Sequence, residues 1–313
     1  MRLTLSQILI SYLNFTHLRY SMKNLKLLFI ILFCFGLSLN AQTKKAANTL
    51  LWEVSGNGLK KPSYLFGTHH FTSREFADTM QVLQDKLKSV DGIVGEIIVD
   101  GTLQKRMAPF LVMKNNTLDS LFTPAEYKEV DDYIKARNPA VNLKQLNRFK
   151  PAMVGVLIML LDNPEMKNVT NGIDESFQKF AKSNAKSLYG LETAEYQGAL
   201  LFDGDLQKQK KALLKSVRES DNNKIKIKEL TAYYLAQDMD KLTDFFKTQD
   251  EETREFMTEM LKNRNQRWLD QLPALMEKES LFIAVGAGHL VGSEGLIKGL
   301  QNKGYALKPI ATN

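Results

Sequence analysis

The sequence predicts an α/β protein, a mixed central sheet built from strands at both ends of the chain around a largely helical middle. Two observations carry this. Short β-type runs cluster in residues 49–99 and 281–310, with one more at 187–191, and nearly everything between them has helical periodicity. Glycines also punctuate the carboxyl ends of the first and last groups of strands, as they do where an open sheet turns towards a ligand.

The elements follow in order. Thr49–Ser55 and Ser63–Gly67 are apolar runs separated by Gly56-Asn57-Gly58, and an Asn-Gly step between such runs marks a hairpin, here lengthened by Leu59-Lys60-Lys61. A helix is expected over Arg74–Val90 and a strand over Gly92–Val99. Further strands are expected at Ser187–Leu191 and Leu281–Gly286, with Tyr305–Ile310 closing the sheet. Helices are expected at Leu103–Lys114, Pro124–Arg137, Met153–Asp162, Ile173–Ser183, Leu206–Glu219, Ile225–Ala236 and Glu251–Glu279, the last kinked or restarted at Pro273. Asn138-Pro139 and Asn163-Pro164 break helices without a change of composition, and there are no repeats. Residues 42–313 therefore read as one domain with helical insertions.

The N-terminus reads as an export signal. Met22-Lys23-Asn24-Leu25-Lys26 is a basic start, Leu27–Leu39 is an apolar run too short to span a bilayer, and Asn40-Ala41 offers a small residue for cleavage. The pattern suggests translation from Met22, a signal segment within residues 1–41, and an exported product, periplasmic or secreted, with no stable membrane span after cleavage. Cys34, the only cysteine, leaves with that segment, so disulfides, thiolate ligands and a cysteine nucleophile are all excluded from the mature chain. The formal charge of +7 shrinks as well: four bases and no acids precede residue 42, leaving 38 bases against 35 acids. Those charges interleave along helices, and no footprint for nucleic acid results.

Three histidines survive, and all follow glycine-containing strand ends: His69 and His70 in Gly67-Thr68-His69-His70, and His289 in Gly286-Ala287-Gly288-His289. Glu96 interrupts the apolar run Ile93–Val99, where a buried carboxylate needs an ion-pair partner or a metal. Glu192 ends another strand, before a helix carrying Glu195, at a position carboxylates favour in any case. Arg264 falls on the apolar stripe Met257, Met260, Leu261, Trp268, Leu272 and Leu275, with Asn265 at its border. A guanidinium there needs Glu96, Glu192 or a substrate anion. Two imidazoles and a carboxylate suit a divalent metal (Mn, Co, Zn or Fe) that would polarise a carbonyl and acidify water, with a second glutamate to move protons. No HExxH helix, Walker loop or nucleophile elbow is present, and the glycines after Val285 have the wrong spacing for a dinucleotide loop.

With these residues the chain resembles the TraB/GumN family, which is related to the Tiki proteins described as metal-dependent proteases. The matching segments are Leu50–Val54, Tyr64–His70, Gly95-Glu96, Gly172-Ile173-Asp174, Gly190–Thr193, Arg264-Asn265 and Val285–Leu290. The resemblance implies a fold shared with erythromycin-esterase-like and ChaN-like proteins. It implies that His70 and His289 are the paired Gly-x-x-His histidines, with Glu96 beside them and Glu192 and Arg264 near the pocket. His69 departs from the family, where that position is more often apolar. Adjacent strand residues face opposite ways, so one of His69 and His70 should face the site, and His70 holds the motif position. Two functions follow as expectations. One is a metal-dependent hydrolase, in the first place a peptidase, with His70, His289 and Glu96 on the metal and Glu192 or Arg264 handling the proton or the oxyanion. The other is a protein that binds a peptide or small ligand in the same pocket without cleaving it.

Overall fold

Gly56, Asn57 and Gly58 all take positive φ (+79°, +47° and +84°), a conformation that Gly and Asn tolerate, and this folds β1 (Leu51–Ser55) back onto β2 (Ser63–Thr68) in an antiparallel hairpin. The computed structural model describes residues 48–70, 72–168, 172–247 and 251–312; the expected signal segment lies outside them. The other strands are β3 (Gly92–Gly95), β4 (Ser187–Gly190), β5 (Leu281–Gly286) and β6 (Ala306–Pro309). They form one mixed sheet in the order β4-β3-β5-β2-β1-β6. β4, β3, β5 and β2 run parallel, and β1 is antiparallel to both its neighbours. The expected architecture is therefore present, with the C-terminal β5 at the heart of the sheet.

Alternation along the strands sends side chains to two cores. Phe66, Ile93, Phe282 and Ala284 pack with Phe177 and Tyr234 on one face, while Leu65, Val94, Ile283 and Val285 pack with Trp268, Leu272 and Leu300 on the other. A third cluster, around Leu118, Ile134, Leu143, Val154 and Val217, holds the helical middle together. No helix among the described residues is long and apolar enough to cross a membrane.

Several expected elements end elsewhere, each for a local reason. The helix expected over Arg74–Val90 is two, Arg74–Asp78 and Gln81–Ser89. Thr79 caps back to the Phe76 carbonyl, and buried Met80 leaves helical geometry between them. The strand expected over Gly92–Val99 stops at Gly95, because the Gln178 side chain takes over its backbone: Nε2 donates to the Ile97 carbonyl (2.9 Å) and Oε1 accepts from the Val99 N–H (2.8 Å). The helix expected over Glu251–Glu279 runs through Pro273 and is interrupted upstream instead, by a π-helical turn over Thr258–Asn263 between Glu251–Met257 and Arg264–Lys278. Among the described residues, four α-helices were not anticipated as separate elements: Leu118–Leu121, Ala194–Phe202 (beyond its start at Glu195), Met239–Lys247 and Leu296–Asn302.

Candidate functional site

The four parallel strands all end on the same edge of the sheet, and the chain leaving them carries Glu192 (after β4), Glu96 (after β3), His289 (after β5) and His70 (after β2). This is the edge at which open α/β sheets bind ligands. Glu96 is thus one residue beyond its strand rather than inside it. The glycines of the two histidine turns serve close approach. A Cβ on Gly67 would stand 3.1 Å from the Ala287 Cα, so the two turns pack on each other, and one on Gly286 would stand 3.3 Å from Glu96 Oε1. The tight turn Ala287–His289 then brings the second imidazole back beside Glu96.

Arg264 is the hub. It is 3 % exposed, and its guanidinium saturates its hydrogen-bonding fork on protein. Nε donates to Glu192 Oε1 (2.9 Å), Nη2 to Glu96 Oε2 (2.6 Å) and again to Glu192, and Nη1 to the Met260 carbonyl and His289 Nε2 (both 3.1 Å). Gln197 Nε2 bridges Glu96 and Glu192, at 3.3 Å from each. Both carboxylates the sequence offered as partners are therefore taken together. Burial works against ionisation of Glu96, but attraction to His289 in its protonated form and to the Arg264 guanidinium, with the Gly286 N–H 2.9 Å from Oε1, holds its carboxyl down at about 2.

The hydrogen bonds fix the tautomer of His289. Asn265 Nδ2 donates to the carbonyls of His289 and Glu294, so Asn265 Oδ1 faces the ring and accepts from His289 Nδ1 at 2.7 Å. Nε2 consequently carries a lone pair, now turned to Arg264. Burial, aided by the guanidinium, pushes the imidazole down to about 3, so it is neutral.

His70 is arranged in a parallel way. Its Nδ1 meets Asp174 Oδ2 at 3.0 Å, Asp174 Oδ1 accepts from Thr68 Oγ1 at 2.7 Å, and Nε2 is the nitrogen left for a ligand. The Asp174 hydrogen bond outweighs the cost of burial and raises His70 to about 9, although 61 % of its side-chain surface opens outward, so at neutral pH a cation at Nε2 would have to displace a proton. His69 lies elsewhere, its ring 5.1 Å from that of Tyr234 and its Nδ1 3.3 Å from Thr72 Oγ1; burial and the neighbouring His70 push it down to about 4.

His70, Glu96, Asp174, Gln197 and Arg264 line one cavity of about 420 Å³. His289 and Glu192 lie behind this lining rather than in it. The donor types suit a divalent cation: each imidazole is oriented through Nδ1 by an oxygen, the arrangement that second-shell partners impose on metal-binding histidines, and Glu96 Oε1 lies 3.8 Å from His289 Nε2. Among the described residues, however, no three His, Cys, Asp or Glu side chains form a ready metal-binding group, and the lone pair of His289 faces Arg264. A cation and this guanidinium would compete for one nitrogen.

Asp174, Gln197 and Gln178 were not singled out from sequence chemistry. Asp174 sits in the first turn of the helix Ile173–Ser183, where an acid is ordinary, and only its place in a family segment drew notice. The two glutamines carried no signal. Glu195 lies outside the cluster, 3.6 Å from Arg106.

A family model, the TraB/PrgY/gumN family, matches residues 50–309. No curated protein and no solved structure matches the chain.

Proposed function

Since the chain belongs to the TraB/PrgY/gumN family, we propose that it is an exported hydrolase, in the first place a peptidase, acting at the cavity between His70 and Arg264 with a divalent cation (Mn, Co, Zn or Fe) held by His70, His289 and Glu96. The observation that carries this reading is the matched orientation of the two imidazoles, each tied at Nδ1 to an oxygen, which leaves Nε2 as the ligating atom once a cation displaces Arg264 from His289 and the proton from His70. A bound divalent cation polarises a carbonyl and lowers the pKa of its water. The protein's own groups do the rest. Arg264, locked by Glu192, places a permanent positive charge where an oxyanion develops. Glu96 and Glu192 are acceptors for a proton leaving the attacking water. The signal-like segment ending at Ala41 supports export.

A second reading has its own support. Arg264 already satisfies Glu96 and His289, which favours a protein that holds a peptide or small ligand without cutting it.

One experiment separates the two. Wild type, His70→Ala and His289→Ala are incubated with each metal, desalted and assayed for bound metal and for cleavage of a peptide library. The hydrolase reading expects about one ion per wild-type chain, lost in both variants together with cleavage. Equal metal in all three proteins defeats it, and metal retention without cleavage favours the binder.

A further inference from the structure

We propose that the cavity beside Glu96 and Arg264 is a side-chain subsite that takes a large apolar residue of a peptide, of leucine or phenylalanine size; the peptide as ligand rests on the function proposed above. Apart from His70 Nε2, the polar groups of the cavity are already committed. Arg264, Glu96 and Gln197 hold one another on one wall, Asp174 holds His70, and Gln178 is engaged by the backbone of Ile97 and Val99. The remaining wall is formed by Ile97, Val99, Phe177, Leu201 and Met260. Four of these, all but Phe177, are only half-buried, and they come from three separate elements: the segment after β3, the Ala194–Phe202 helix and the π-helical turn.

Apolar side chains converging on an open space of about 420 Å³ describe a ligand pocket rather than a packing gap. A charged side chain of either sign would give up its hydration for wall groups that are already paired with each other, Glu96 with Arg264 and Asp174 with His70. A glycine or alanine would leave the apolar wall wet. Burial of a leucine or phenylalanine side chain against that wall corresponds to a preference of about tenfold or more over glycine.

The test is calorimetric binding of capped tripeptides, N-acetyl-Ala-X-Ala-amide with X as Phe, Leu, Gly, Asp or Lys, to the whole metal-free protein. The Phe and Leu peptides are expected to bind about tenfold or more tightly than the other three. Leu201→Trp, which fills the space from the helix, is expected to remove that preference. Met260→Trp fills it from the π-helical turn and serves if the first variant does not fold. Equal affinity for all five peptides, binding of none, or a preference unchanged in a folded variant overturns the subsite. Cleavage of the same peptides is read separately. Selective binding without cleavage defeats the hydrolase and leaves the subsite standing, whereas cleavage indifferent to X defeats the subsite alone.

Discussion

Glu96→Gln removes a charge from the buried cluster while keeping the length and shape of the side chain. In the folded protein the Glu96 carboxyl is held at about 2 against the usual 4.5, its positive neighbours overcoming the cost of burial. At about 1.4 kcal/mol for each tenfold change in proton affinity, that gap sets an upper bound of about 3 kcal/mol on the stability it contributes at pH 7, where His289 is neutral and its share is lost. The sign follows from the direction of the shift. A depressed carboxyl contributes fully above its unfolded value of 4.5 and loses its contribution as pH falls towards 2. Glu96→Gln is therefore expected to be less stable than wild type by about 1–3 kcal/mol at pH 7, with the deficit reduced on acidification to pH 3. Urea unfolding followed by circular dichroism at pH 7, 4.5 and 3 measures it. A deficit below about 1 kcal/mol at pH 7, or one that does not shrink on acidification, refutes the view that Arg264 and its neighbours stabilise an ionised carboxylate.

Two further outcomes are expected. Asp174→Asn removes the partner that raises His70 to about 9, so the imidazole should titrate near or below its ordinary 6.5 in a histidine NMR titration; an unchanged midpoint contradicts the pairing. Because a raised histidine stabilises fully below 6.5 and loses that contribution as pH rises through its folded value, the stability gap between wild type and Asp174→Asn should close above about pH 9. Gln178→Leu leaves the Ile97 carbonyl and Val99 N–H without their side-chain partner, at a cost of about 1–3 kcal/mol. Faster hydrogen exchange at the Val99 amide should accompany it, and exchange at the wild-type rate would show that another group holds that segment.

What could be read from the sequence was the part that repeats or punctuates. Gly56-Asn57-Gly58 announced its hairpin because positive φ restricts the residues that fit there, and the Gly-x-x-His turns stood out because both histidines followed a glycine at a strand end. Arg264 was visible as a charge on an apolar stripe, and the structure pairs it with both carboxylates considered for it. The rest depended on contacts between distant residues. Ile97-Ile98-Val99 has strand composition, but a glutamine 80 residues or so downstream takes the backbone bonds a neighbouring strand would have made. The π-helical turn left no mark in residue types. It carries the half-buried Met260 and Leu261 and sets them, with Met257, apart from the buried face of Arg264, Asn265, Trp268 and Leu272, although all share one helical spacing in the sequence. Asp174 was concealed by its own ordinariness at a helix start.

The position of β5 bears on how the chain reaches this state. β2 lies against β5 with Tyr64 opposite Phe282, and β3 lies against the other side of β5 with Ile93 opposite that same Phe282. Until residues 281–286 arrive, the N-terminal hairpin and the β3-β4 pair have no common neighbour, and neither core face is continuous. Contacts that span some two hundred residues close late and slowly, since a long loop must be ordered before any of them forms. Synthesis from the N-terminus therefore yields a growing chain with no finished sheet for most of its length. The final forty residues deliver the middle strand, whose Ala284 lines the cavity, together with the second histidine, so the sheet and that wall of the cavity are completed by the same segment of chain.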